Sequence, residues 1–459
     1  MNREEELERR RRQRERIRRQ KKIRKIRRIM ILVISAAALV LIILLILNWK
    51  KDGSLFKDDS PAQTAESSVE ESIGEVTEAP TEAPTPEATG EPTEAPTEEP
   101  TPTAAEEPKS NWTYTTSETM PEGEIVPTTI QNYSYENMRR DLYFLSQRYP
   151  DLLTVKVFGY SADGRELLEC VVGNEDSGRD ILVQYSMHAR EHIMTILGMK
   201  QLENLLANYE TGTCGDETYA SILSKTCLHL IPMINPDGVT IAQEGLDSIV
   251  NEDLRNKLYE VYENDQANGI NTGNLSDYTR IWKANANAVD LNRNFASEHW
   301  TADMGSLVPS AEKFPGYTPN SEPETVALLD LVDTLNVKCQ IAYHVHGHRI
   351  YWDYGMEETE PELYETDRQL AELIKSCTAV TGDGGYDVMS TVEDNQNAGG
   401  ASDYFMQILK IPSVTVECGD NYLADGSYND APLPIDQFDN IYAENESVLP
   451  SVAQMFENS

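Results

Sequence analysis

Ile181-Leu182-Val183-Gln184-Tyr185-Ser186-Met187 is followed at once by His188-Ala189-Arg190-Glu191-His192, and the join between them organises everything else in the chain. The first segment is an apolar run of strand length and reads as a strand buried on both faces. The second packs two histidines, an arginine and a glutamate into five positions. Open α/β sheets present their sites where strands end, so a polar cluster here points to chemistry. Three readings are open at this point. The cluster is a charged surface; or His188 and His192 are i, i+4 metal ligands on a helix with Glu191 as base; or His188 and Glu191 are ligands at a strand end, completed from another strand. The helical scheme needs His188 already inside a helix. Its place after a strand favours the third reading.

Working outward, LHLIPMI (228–234), CQIAYHV (339–345) and SVTVEC (413–418) read as further strands buried on both faces. Helical spacing marks 193–209, 322–335 and 361–380, and Ser134 is positioned to cap an earlier helix carrying Met138, Leu142 and Leu145. Buried strands alternating with helices predict an α/β domain over 111–459, with a mixed, mostly parallel central sheet and helices on both faces. Two of the strands end in chemistry. Tyr343-His344-Val345-His346-Gly347-His348 offers a third ligand, and Glu417 closes SVTVE as a carboxylate that is either a base or half of an ion pair. Of the six cysteines, Cys170, Cys227, Cys339 and Cys418 fall in predicted core strands. Cys214 and Cys227 flank a predicted helix whose ends would stand roughly 15 Å apart, too far for a bridge. Free buried thiols are expected, without metal-site spacing.

The net charge of -38 is unevenly spread. Residues 1–28 hold 15 Lys and Arg against 5 Asp and Glu, whereas 109–459 hold 21 basic and 56 acidic residues. Such acidity argues against nucleic acid as a partner, since phosphate binding needs clustered cations. After the basic tail (1–28), Ile29 to Leu47 forms an uncharged run that would reach roughly 28 Å as a helix, close to a bilayer core. It is longer than a signal-peptide core and no small-residue cleavage site follows it, so one retained transmembrane helix over 29–49 is expected. The positive-inside rule orients it with the N-terminus in the cytoplasm, giving a single-pass type II protein of the cell membrane. From Asp58 to Pro108 there are 15 acidic residues and nine prolines but no Lys, Arg or aromatic residue. That composition cannot bury enough surface to fold; 50–110 is expected to be a disordered, extended stalk.

Taken in order, several short stretches resemble the zinc carboxypeptidase family of metallopeptidases. Gly159-Tyr160-Ser161-Ala162-Asp163-Gly164-Arg165 is similar to its early turn, and His188-Ala189-Arg190-Glu191 to its H-x-R-E motif. Asn235-Pro236-Asp237-Gly238, Asp290-Leu291-Asn292-Arg293-Asn294-Phe295 and Ser321-Glu322-Pro323-Glu324-Thr325 resemble further signature loops. His344 with Tyr354-Gly355, then Gly399-Gly400, Asp403 and Glu417, complete the order. The resemblance implies one Zn2+ held by His188, Glu191 and His344, with water in the fourth position and Glu417 as general base and then acid. It implies that Asn292 and Arg293 grip a substrate carboxylate and that Arg190 lines the same groove.

The sequence departs from the family pattern in three places. Asn287 stands nearest the position of an oxyanion arginine, with Lys283 and Arg280 as possible substitutes. No tyrosine precedes Gly399-Gly400 within Asp394–Ala398. The segment between Glu191 and His344 is long, with extra residues around 243–276. Ser402, at a pocket-lining position, offers neither charge nor apolar bulk. Trp282-Lys283-Ala284-Asn285 and Val289–Arg293 look most like bacterial members that cleave γ-D-glutamyl–diaminopimelate bonds in cell-wall peptides. The expectation is therefore a peptidase acting on peptides, with peptidoglycan stem peptides as candidate substrate. The alternative is a catalytically weakened domain that binds wall peptides or a protein partner.

Overall fold

The computed structural model describes residues 110–459, apart from 271–272, 381, 383, 395–398 and 421–428. The basic tail, the apolar run, all of the stalk before Ser110 and most of the tyrosine-free segment lie outside the described residues. Among the described residues no helix is long and apolar enough to cross a membrane.

Among the described residues ten strands run in chain order: β1 (Leu153–Tyr160), β2 (Glu166–Gly173), β3 (Asp180–Tyr185), β4 (Thr213–Cys214), β5 (Glu217–Thr218), β6 (Cys227–Ile231), β7 (Val337–Val345), β8 (Arg349–Trp352), β9 (Asp387–Ser390) and β10 (Ser413–Cys418). β4 and β5 pair only with each other. The other eight form one sheet in the order β1-β2-β6-β3-β7-β10-β8-β9. Its centre, β6-β3-β7-β10, is parallel, as is β8-β9, while β1-β2, β2-β6 and β10-β8 are antiparallel. The mixed, mostly parallel sheet expected from the sequence is what forms.

The central strands are mostly apolar because both faces are covered, with the polar exceptions Asp180, Gln184, His229, Gln340, His344 and Ser413 buried among them. Ile181, Val183 and Tyr185 of β3 join one core with Leu228, Leu230, Ile341, Tyr343, Val414 and Val416, under the helices Ile193–Ala207 and Pro361–Thr378. Leu182 points the other way, into a core with Ile231, Leu328 of helix Pro323–Val332 and Phe405. Helix Ile193–Ala207 buries every residue except Asn204 and Ala207, as a helix enclosed on nearly all sides must. β6 stops at Ile231, short of the predicted Ile234, because Pro232 has no N–H to give the ladder. Helix Tyr135–Arg148 starts at Ser134, whose Oγ accepts from Asn137 N at 3.2 Å while Asn137 Oδ1 accepts from Ser134 N at 3.1 Å.

The extra residues around 243–276 do not extend the sheet. They form the helices Glu252–Ala267 and Leu275–Arg280, closing a small core of their own around Leu258, Tyr278 and Trp282 that also includes Ala189 of the polar cluster. All six cysteines are free, and Cys170, Cys227, Cys339 and Cys418 are buried.

Candidate active site and metal centre

The parallel strands bring their C-terminal ends to one edge of the sheet, and the polar residues gather there. His188 is extended (φ -89°, ψ 128°) and caps a single 3-10 turn, Ala189–Glu191, before helix Ile193–Ala207 begins. That turn folds Glu191 back beside His188, with Glu191 Oε1 at 2.8 Å from His188 Nδ1. On the neighbouring β7, His344 places Nδ1 3.0 Å from His188 Nδ1 and 2.9 Å from Glu191 Oε2. The i, i+4 scheme fails on this geometry. His188 precedes the helix, and His192 is turned away from the group, buried with its Nδ1 unpartnered among the described residues. His344 is likewise the histidine of its trio that joins the group. His348 instead lies edge-on to Tyr386 at 5.0 Å and 3.4 Å from Asp420.

The donor set fits a cation. His188 Nε2 sits 3.2 Å from Asp290 Oδ1, so a neutral His188 spends its one N–H on Asp290 and aims a bare lone pair from Nδ1. That lone pair meets a carboxylate oxygen and a second imidazole nitrogen, all buried. Such convergence is repulsive unless positive charge lies between the atoms. Ligands about 2.0–2.2 Å from a tetrahedral zinc stand about 3.3 Å apart, close to what is observed here. Burial acts to raise the Glu191 carboxyl, but His188 and His344 outweigh it and hold it well below the ordinary range. The same balance, with His188, Lys283 and Arg293 opposing burial, keeps Asp290 low.

Glu417 lies on β10 in register with His344 and, on the other side, Arg349. Its Oε2 is buried without a hydrogen-bond partner among the described residues. Burial pushes its carboxyl up to about 7, with His344 opposing and Glu191 reinforcing the shift. Lys283 is one of the cations that Glu417, Asp290, Glu312 and His346 all sense. Its backbone carbonyl accepts from Ala189 N at 3.2 Å, tying it to the metal-binding turn. Of the possible substitutes for the missing arginine, Lys283 is therefore the one at the site. Asn287 gives its amide to Glu322 Oε2 at 2.9 Å, and Arg280 lines a separate cavity of about 830 Å³ beside His192 and the 243–276 segment.

The three residues expected to hold substrate are anchored as follows. Asn292 Oδ1 accepts from Ala401 N at 3.0 Å, which leaves its amide NH2 to donate elsewhere. Arg293 keeps Nε 3.5 Å from Asp290 Oδ2 and is about a third exposed, at 31%. Arg190 donates to Asp430 Oδ1 at 2.9 Å and to Ile281 O at 3.3 Å. Ser402 is buried against Thr415 Oγ1 at 3.0 Å and Gln340 Oε1 at 3.3 Å.

The remaining motifs are scaffolding. Asn235 caps the next helix and donates to Met187 O at 2.9 Å and Ala284 O at 3.1 Å, fixing the residue just before His188. A Cβ on Gly238 would lie 2.4 Å from that same Ala284 O. Asp237 collects Ser161 Oγ, Asp163 N and Arg165 at 2.7 Å each, and Asn285 bridges Glu322 at 2.8 Å and Glu324 at 2.9 Å. Gly399 has φ +78° and no room for a side chain, since a Cβ would come within 2.6 Å of Arg293 O. Gly400, the second of that pair, leads directly into helix Ala401–Tyr404, whose first N–H holds Asn292. Asp290, the partner that selects the His188 tautomer, was visible in the sequence only as the first letter of a motif.

Comparison with known proteins agrees with this geometry. The profile of the zinc carboxypeptidase family, Peptidase_M14, matches residues 138–445. A gamma-D-glutamyl-L-diamino acid endopeptidase of Lysinibacillus sphaericus is 32% identical over 317 residues, covering 68% of this chain and 70% of that one. Among solved structures, thrombin activatable fibrinolysis inhibitor superposes with a TM-score of 0.55 at 20% identity, over 73% of this chain and 78% of that one. A carboxypeptidase A from Helicoverpa armigera gives 0.52 at 19% identity, over 71% and 74%. At these identities the structures speak for the fold alone. Family and donor set together imply a zinc ion at His188, Glu191 and His344. The chain belongs to the zinc carboxypeptidase family and is a zinc peptidase.

Proposed function

We propose that this chain is a membrane-anchored, external zinc peptidase that hydrolyses amide bonds within peptidoglycan stem peptides, with Glu417 as its general base. The observation that carries the catalytic assignment is the Glu417 carboxyl: half-buried beside His344, with Oε2 enclosed and unpartnered among the described residues, and pushed up to about 7. An acid–base group works best when its pKa lies near the working pH, because it must both accept and return a proton.

Zinc, when held by His188, Glu191 and His344, supplies Lewis acidity toward water and toward the scissile carbonyl. Glu417 takes the proton from water as the new C–O bond forms, and gives it to the amine nitrogen as the C–N bond breaks. Lys283 donates to the carbonyl oxygen as charge builds there, in place of the family's arginine. Asn292 and Arg293 hold a carboxylate of the substrate, for which an arginine fork is suited. Asp290 keeps His188 in the tautomer that leaves Nδ1 free to ligate.

The substrate class rests on the similarity to the Lysinibacillus gamma-D-glutamyl-L-diamino acid endopeptidase. The membrane assignment rests on the apolar run Ile29–Leu47 and the basic flank before it. The test is mass spectrometry of stem peptides and C-terminal dipeptides incubated with the zinc-loaded chain and with Glu417→Gln. Cleavage inside the stem peptide, reduced ~10²–10⁴-fold in the variant while zinc stays bound, is expected. Equal inertness of both proteins on every peptide sinks the proposal.

A further inference from the structure

At the opposite edge of the same sheet, where β3 and β6 begin, a second group of donors is buried. Asp180 and Cys227 stand in register across the two strands, and His229 follows two residues later on the same face of β6. Their ligand atoms all lie within 4.8 Å of one another, and the relative exposures are 5%, 0% and 2%. Among the described residues this cluster and the catalytic group are the two able to hold a metal ion.

Its inner logic repeats that of the catalytic group. Glu169 on β2 approaches His229 Nδ1 at 2.6 Å, which directs the other ring nitrogen, Nε2, toward Asp180 Oδ1 at 3.3 Å. This is the carboxylate–histidine arrangement that orients metal-binding imidazoles, with Glu169 in the part that Asp290 plays for His188. The second oxygen of Asp180 is already committed, accepting from Asn336 N at 2.7 Å, so Oδ1 is the one that faces His229. Cys227 contributes a sulfur donor, which the catalytic group lacks.

We propose that Asp180, Cys227 and His229 form a second, structural metal site for a borderline divalent cation such as Zn2+, oriented by Glu169. Thiolate, imidazole and carboxylate are the donors such a cation takes, and water completes a fourth position from the edge, where the Asp180 side chain keeps 7% exposure. The charge closes. With the site metal-free, two carboxylates, a protonated imidazole and a neutral thiol sum to one negative charge. Uptake of a divalent ion expels one proton from His229 and one from Cys227, and the sum is unchanged, so the dry interior gains no net charge. Tetrahedral zinc needs its N, O and S ligands about 3.3–3.6 Å apart, so no pair of these atoms has to close by more than about 1 Å. The bound ion would clip β3 to β6 directly and β2 through Glu169, at the end of the sheet farthest from catalysis.

The test is the metal content and cobalt spectrum of the full-length chain, stripped with chelator and reloaded. Two zinc ions per chain are expected, together with a thiolate-to-cobalt charge-transfer band on loading with Co2+. The catalytic group has no sulfur and cannot produce that band. Cys227→Ser is expected to lose one ion and the band while stem-peptide cleavage per remaining zinc is unchanged; His344→Ala is expected to lose the other ion and keep the band. One ion per chain and no thiolate band in the wild type overturns the proposal, and needs no variant to fold. So does a wild-type band that survives Cys227→Ser.

Discussion

The two buried clusters share strands and design yet differ in how completely their atoms are used. At the N-terminal edge, Asp180, Glu169 and His229 satisfy one another, and none appears among the buried groups left without a hydrogen bond. At the C-terminal edge, Glu417 Oε2 and His344 Nε2 have no hydrogen-bond partner among the described residues, Arg293 Nε has only the ion pair with Asp290, and Lys283 stands by as a cation. Unmet polar atoms in a dry interior are costly, on the order of 1–3 kcal/mol each, so an edge that keeps them holds capacity for a reacting molecule. Both groups offer three protein donors and leave a fourth position to water. What makes the C-terminal edge the open one is the unpaired polar atoms it keeps beside that position, whereas at the closed N-terminal edge the carboxylates and imidazole are already paired.

Removing charge from the open edge breaks the contrast most. Lys283→Ala is expected to lower kcat on stem peptides by ~10²–10³, the usual effect of removing one oxyanion donor, with KM and zinc content little changed. Lys283→Arg should recover much of the rate. A loss confined to KM would move Lys283 from the oxyanion to ground-state binding. Next in size is the orienting carboxylate. Asp290→Asn leaves an acceptor for the His188 Nε2–H but removes its charge, and zinc affinity is expected to fall ~10–100-fold by chelator competition. If affinity and pH profile are both unaltered, Asp290 holds only the loop at Lys313, whose N–H it also accepts at 3.1 Å.

Much of this was legible from residue order alone, for physical reasons. β3, β6, β7 and β10 place apolar residues on both faces, so they stand out as apolar runs broken at few positions, and SVTVEC matches β10 end to end. The strands β8 and β9 are four residues each, too short to carry a pattern. His188 and Glu191 were visible because one turn brings them together. The spacing alone narrowed the third ligand to a trio, the family resemblance named His344, and the pairing of β7 with β3 brings it to the group. Asp290 and Lys283 owe their roles to proximity across about a hundred residues, which no local pattern encodes. His229 failed in a different way. In LHLIPMI it reads as a polar interruption of a core strand, because Glu169 and Asp180, which give it meaning, belong to two other strands.

A smaller effect separates paired from unpaired carboxylates within the closed edge itself. Asp180 has His229 beside it, and although burial acts to raise its carboxyl, His229 and the Asn336 N–H bring it below the ordinary range. Asp367, on helix Pro361–Thr378, meets the first residue of β10 through Ser413 N at 2.8 Å but has no cation. Burial pushes it up to about 8, with the Asp353 charge adding to the shift. Its unfolded value is about 3.9, so between those limits the folded chain holds a proton that the unfolded chain has released. The stability this gives is full below about pH 4 and is lost as pH rises through about 8, at a slope of at most about 1.4 kcal/mol per unit. Asp367→Asn removes the titration, so its stability relative to wild type should increase from pH 5 to pH 8 in urea unfolding of the zinc-loaded protein. A difference independent of pH would mean that Asp367 is ionised in the fold, held by the backbone N–H groups of Ser413 and Asp353, and that the closed edge tolerates an unpaired charge after all.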